Sequence, residues 1–79
     1  MKEYLATFHT HFAAMCTARA LENAGVNARL APVPRAVSAS CGTCVLYTAQ
    51  DPCLSLMARD TEGVYLSTAH GFTPIRQFE

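Results

Sequence analysis

The sequence predicts one small α+β domain, and three observations carry that expectation. The chain has 79 residues, 51% of them hydrophobic and 15% charged, which suffices for one core and excludes two. Its alternating and helix-forming runs follow one another as strand, helix, strand, strand, helix, strand. Glycine and proline punctuate these runs at Gly25, Pro34, Pro52 and Gly63.

Tyr4, Ala6 and Phe8 alternate with Leu5 and Thr7, which predicts a central first strand with one aromatic face. Thr10 to Ala24 is rich in helix formers, with Ala14, Ala18 and Leu21 at i, i+4 and i+7 and Gly25 placed to cap the helix in a left-handed conformation. Phe12, Cys16, Arg19 and Asn23 share its opposite face, so Cys16 is expected away from the apolar stripe. Val26 to Val33 suits a second strand, which Pro32 and Pro34 restrict to a sheet edge or strand end.

Pro34 to Gly42 reads as a loop and Cys44 to Tyr47 as a third strand. Asp51 as N-cap and Pro52 at the first helical position predict a second helix, with Leu54, Met57 and Ala58 as its apolar stripe and Gly63 ending that helix or its turn. Val64 to Ser67 is a fourth strand, and Thr68 to Glu79 an ordered or semi-ordered extension. Two such split units most economically make an antiparallel sheet with both helices on one face. The expected architecture is therefore a ferredoxin-like β-α-β-β-α-β two-layer sandwich over residues 1–67, with a short C-terminal extension over 68–79. A thioredoxin-like or doubly wound sheet is the alternative, but it needs parallel neighbours and a longer crossover than Asp51 to Gly63 supplies.

Six Lys and Arg balance six Asp and Glu. The cations, Lys2, Arg19, Arg29, Arg35, Arg59 and Arg76, lie singly, which argues against nucleic acid as a partner. Thr7, His9, Thr10 and His11 interrupt any signal-peptide core, and no run reaches the length of a membrane span. A cytoplasmic location without a membrane partner is the expectation. There the four cysteines, Cys16, Cys41, Cys44 and Cys53, point to catalysis, redox chemistry or metal binding rather than structural disulfides. A domain this small gains stability from a partner, so a homodimer is compatible with the sequence.

The chemistry concentrates in Pro32-Val33-Pro34-Arg35 through Ser40-Cys41-Gly42-Thr43-Cys44. Gly42 removes side-chain bulk beside Cys41 and permits a turn whose amide hydrogens can face a sulfur anion, while Arg35 is the cation available to favour the thiolate. Cys41 is the candidate nucleophile. The competing reading makes it a small buried hydrophobe and Gly42 a plain turn residue.

Arg29-Leu30-Ala31-Pro32-Val33-Pro34-Arg35, then Val37-Ser38 and Cys41-Gly42, resembles the family described as Putative Se/S carrier protein-like, once known only as a domain of unknown function. The opening Ala6-Thr7-Phe8 and the helix that ends at Gly25 share the likeness, which covers roughly residues 3–67. The resemblance implies a small non-enzymatic carrier, without a cofactor. Its cysteine, aligning with Cys41, would hold sulfur or selenium as a persulfide or selenosulfide. A cysteine desulfurase or another donor would supply the atom, and an acceptor enzyme would receive it. Cys44 departs from the family's apolar or small residue at that position. A second thiol so near suggests a resolving step in which Cys44 attacks Cys41, expels sulfide and leaves a disulfide for later reduction.

Two other classes compete. Cys41 and Cys44 have Cys-x-x-Cys spacing suited to zinc or copper, with Cys16, Cys53, His9, His11 or His70 left to complete the ligand set. The same pair fits a thiol-disulfide redox protein, except that it enters a strand rather than a helix N-terminus. His9 and His11 read as surface or capping residues at the start of the first helix, and His70-Gly71 as a turn. No paired carboxylates, phosphate loop or Ser-His-Asp order supports a hydrolase.

Overall fold

In the computed structural model, which describes residues 1–78, the α+β expectation holds: one helix packs on one five-stranded antiparallel sheet. The strands are β1 (Lys2–Phe8), β2 (Asn27–Pro32), β3 (Thr43–Ala49), β4 (Thr61–Thr68) and β5 (Gly71–Gln77), and the helix is α1 (His11–Asn23). The sheet order is β2-β3-β1-β4-β5. β1 is central as its pattern predicts, and β2, with Pro32 at its last position, forms one edge. No helix among the described residues is long and apolar enough to cross a membrane.

α1 begins and ends for local reasons. The Thr10 hydroxyl accepts from the Ala13 amide at 3.1 Å, so Thr10 caps the helix and His9 and His11 do not. At the other end Gly25 adopts φ +84°, its N–H donates to Glu22 O at 3.0 Å, and the Val26 N–H reaches back to Leu21 O at 2.9 Å. These two bonds are a Schellman cap, which needs the left-handed glycine. Ala13, Ala14, Ala18 and Leu21 lie against Tyr4, Ala6, Phe8, Val45, Tyr47 and Val64 in the main core. Phe12 and Cys16 stay exposed on the outer face, as the helical wheel predicts.

The second helix does not form, which corrects the two-helix sandwich. Between β3 and β4 the only helical residues are a three-residue 3-10 turn, Leu54–Leu56. Asp51 spends its carboxylate on the Cys53 N–H at 2.8 Å, and Cys53 takes φ 54°, so Asp51-Pro52 closes a turn instead of starting a helix. Distance explains the choice. Ala49 lies beside Lys2 at one end of β1 and Thr61 beside Phe8 at the other, a climb of about 20 Å at roughly 3.3 Å per strand residue. An α-helix rising about 1.5 Å per residue would need about 13 residues for that climb alone. Residues 50–60 do not provide them, so the connection runs mostly extended.

Tyr47 Oη donates to Pro52 O at 2.6 Å, and the Ala58 N–H donates to Thr17 Oγ1 at 3.0 Å. These bonds tie the connection to β3 and to α1. Gly63, expected to end a helix, lies buried inside β4. The C-terminal extension adds a strand: Ala69-His70 turns the chain, Gly71 takes φ +124°, and β5 pairs with β4 through Gln77. Glu79, the end of the expected extension, lies outside the described residues.

Thr17 is a test of how much the connection depends on α1. Thr17→Val keeps the shape and strands the Ala58 N–H, at an expected cost of about 1–3 kcal/mol. Urea denaturation should show a lower midpoint with an unchanged slope; an unchanged midpoint would mean that the Thr17 hydroxyl is dispensable.

Candidate functional site: the Cys41 loop

β1 and β2 finish, and β3 and β4 begin, at one rim of the sheet, as the pairings Pro32 with Thr43, Thr7 with Cys44 and Phe8 with Thr61 require. The rim therefore collects the β1–α1 turn, the long loop 33–42 and the approach to β4. The loop is closed at its base, where the Val33 N–H donates to Gly42 O at 3.1 Å. A turn follows, with the Val37 N–H on Pro34 O at 3.0 Å. Val37 then inserts over Leu5 and Cys44 on the sheet face opposite α1, where Ala31, Val33, Leu46, Tyr65 and Phe72 complete a second small core.

Cys41 sits beyond this anchor, half-buried, and its Sγ accepts from the Thr43 N–H at 3.4 Å. A backbone donor aimed at a sulfur is what a sulfur anion needs. Gly42 is exposed, and a Cβ placed there would meet nothing within 4 Å. Its backbone is not in the left-handed region, so the turn does not require glycine. The amide on the sulfur comes from Thr43, whose Oγ1 in turn lies 3.1 Å from His11 Nδ1.

On the other side of Cys41, Ser40 is held twice by Glu62. The Ser40 N–H donates to Oε1 at 2.9 Å, and the hydroxyl donates to Oε2 at 2.6 Å. His9 Nδ1 stands 3.4 Å from the same Oε2, in a pair that is 48% exposed on the histidine side and 22% on the glutamate side. Burial alone would raise the Glu62 carboxyl, but the two Ser40 bonds and His9 together hold it below its ordinary value.

Cys44 is placed differently. Its side chain is fully buried under Val37, its strand is paired on both sides, and its Sγ lies 3.6 Å from Pro32 O. Burial pushes the Cys44 thiol up, with Arg29 acting in the opposite sense. The expected resolving thiol is thus a core residue, and its attack on Cys41 would require the second core to open. Arg35 is exposed on the turn before Val37, and among the described residues no ion pair or hydrogen bond joins it to Cys41.

The remaining thiols lie elsewhere. Cys16 is exposed on α1, and the half-buried Cys53 donates to Asp51 O at 3.4 Å, with burial first and Asp51 second raising its thiol. All four cysteines are free, and among the described residues no three His, Cys, Asp or Glu side chains converge as a metal set. The structure thus brings His9, His11, Ser40, Thr43 and Glu62 around Cys41, and leaves Arg35 without a contact to it and Cys44 beneath the loop. Sequence reasoning missed Glu62. The available signal was Gly63, since a glycine within a strand pattern marks a bulge or a close backbone approach.

Fold and site define a class: a small α+β domain that presents one thiol on a pinned loop at the rim of its sheet. The chain belongs to the family described as Putative Se/S carrier protein-like, whose model matches residues 3–65. It is also 38% identical over 48 residues to a protein of Escherichia coli strain K12 named Uncharacterized protein YtiA, over 61% of this chain and 56% of that one. The chain therefore spans about half the length of this curated relative. No solved structure matches it.

Two measurements follow from this geometry. Under native conditions iodoacetamide should label the Cys41 and Cys16 peptides well before Cys44, which should react only after denaturant is added; prompt native labelling of Cys44 would contradict its burial. Carbon NMR should place the Glu62 carboxyl titration below that of free glutamate, and Ser40→Ala should move it upward. Because the folded value is depressed, the stabilisation from Glu62 is present above the unfolded value and is lost as pH falls through the folded one. A Glu62 titration unchanged by Ser40→Ala would deny the hydroxyl its part.

Proposed function

We propose that this protein is a sulfur or selenium carrier that uses Cys41 as its cargo-bearing thiol. The observation that supports this most directly is the position of the Cys41 sulfur: half-exposed on a rim loop, beside a residue without a side chain, with the Thr43 N–H on it. Membership of a family described by Se/S carriage supplies the cargo class. The other thiols lack this arrangement.

The chemistry is exchange at a sulfane sulfur. The Cys41 thiolate attacks the outer sulfur of a donor persulfide, the bond between the donor's two sulfurs breaks, and the donor leaves as a thiolate. Cys41 then carries the outer sulfur with its proton, and no external oxidant or reductant is consumed. An acceptor thiolate reverses the same step. With selenium in the outer position the product on Cys41 is a selenosulfide. A cysteine desulfurase is the donor class that makes such persulfides, and an acceptor enzyme takes the atom on. A reducing, cytoplasmic setting suits a carrier whose Cys41 must return to the thiol after each delivery.

In this reading Cys44 packs the loop and does not resolve the persulfide, so delivery passes the sulfur on without forming an internal disulfide. Intact mass of the reduced protein after incubation with a cysteine desulfurase and cysteine should rise by one sulfur. Cys41→Ser should abolish the gain. Cys44→Ala should retain it and release sulfide to added dithiothreitol at the wild-type rate. A gain that survives Cys41→Ser would refute the assignment, and slower sulfide release in Cys44→Ala would restore the resolving role.

A further inference from the structure

Glu62 occupies a special place in β4. Thr7 pairs with Gly63 and Phe8 pairs with Thr61, so the register between β1 and β4 skips Glu62. The carboxylate is therefore carried by the extra residue of a bulge, and bulges re-aim a side chain out of the regular alternation of a strand. Here the re-aimed side chain meets Ser40, the residue just before Cys41, through both of its oxygens. The bulge is itself held in place from outside, because the Phe78 N–H donates to Glu62 O at 2.8 Å and the His9 N–H donates to Asp60 O at 3.0 Å.

Cys41 thus lies between two fixed points. Upstream, Ser40 is bound to Glu62; downstream, Thr43 enters β3 opposite Pro32 and sends its N–H back to the sulfur. The two residues between these fixed ends, Cys41 and Gly42, have little freedom, so the sulfur and the Thr43 amide are kept in register. With Ser40 released, the nearest upstream anchor among the described residues is Val37, and the intervening Ser38, Ala39 and Ser40 are free to carry the sulfur off its donor. The packing of Val37 fixes where the loop crosses the sheet, but it does not fix the direction in which Cys41 points.

We propose that Glu62 is the positioning residue of the Cys41 thiol, acting through Ser40 to keep the sulfur under the Thr43 amide. This rests on the reading of Cys41 as the cargo-bearing thiol. Its test needs no cargo, so the two can fail separately.

The variants are Glu62→Ala and Glu62→Gln, the second keeping one acceptor oxygen for Ser40 and a similar volume. Backbone amide exchange at Ser40 and peptide-resolved alkylation of Cys41 by iodoacetamide are measured, with Cys16 on α1 as the internal control. In Glu62→Ala the Ser40 amide should exchange at least about tenfold faster, and the Cys41 rate should fall at least about threefold, because the reacting thiolate has lost a fixed donor. Cys16 should be unchanged, and Glu62→Gln should recover most of both effects. Ser40→Ala, which removes only the hydroxyl bond, should fall between wild type and Glu62→Ala.

A Glu62→Ala protein whose Ser40 exchange and Cys41 rate match wild type would overturn the proposal. So would parallel changes at Cys16, which would show a general loss of structure, or a Gln variant as impaired as Ala. If the latch behaves as expected while wild-type protein takes no sulfur from a desulfurase, the positioning role stands and the carrier reading falls.

Discussion

The constraint on which the structure depends is that β1 must be covered on both faces. Every residue from Tyr4 to Phe8 is buried, whereas one helix reaches only Tyr4, Ala6 and Phe8 on one side. Leu5 and Thr7 face the other way, and a bare sheet face there would leave Leu5 in water. Among the described residues no helix lies on that side; the loop between β2 and β3 folds back over it instead, and Val37 supplies apolar cover. Full burial of a side chain of this size contributes roughly 1.5–3 kcal/mol. That is enough to fix the path of a short loop, and Cys41 reaches the rim because Val37 holds the loop down upstream of it.

The same constraint separates the roles of two cysteines that are near neighbours in sequence. Cys44 falls on the face that Val37 covers, and becomes part of the surface the loop packs on. Cys41 lies on the irregular segment before the strand begins, free of the alternation that buries Cys44. Sequence spacing suggested a cooperating pair. The strand register assigns one thiol to the core and the other to the rim, and burial opposes the anionic form that a resolving Cys44 would need.

Much of the fold was legible from local chemistry. The alternation of Tyr4, Ala6 and Phe8, the stripe Ala14, Ala18 and Leu21, the Gly25 cap and the two prolines near β2 each act within a few residues, and each element lies where those signals put it. The second helix failed because Asp51-Pro52 is a start signal whose outcome depends on the distance the chain must then cover. That distance is set by the pairing of β1 with β3 and β4 and is not written in residues 50–60. Gly63 misled for a related reason, since a glycine ends a helix or sits in a bulge according to context. Phe72 and Ile75, within the stretch expected only as an extension, lie on a strand that pairs with β4.

The Cys41 loop stood out in the sequence, but the contacts that surround it did not, because His9, His11 and Glu62 reach it from distant parts of the chain. His9, Ser40, Thr43 and Glu62 meet only once the rim is assembled, and a β-bulge supplies the last of them. Under the carrier proposal, exposure alone would not select the thiol. Cys16 is more exposed than Cys41 and stands on a rigid helix, so a carrier that relied on access would load there. A thiolate needs a donor as well as access, and the backbone N–H groups around Cys16 are committed to the helix. The amide turned toward the Cys41 sulfur is that of Thr43, where β3 begins, and Glu62 holds the preceding loop at Ser40.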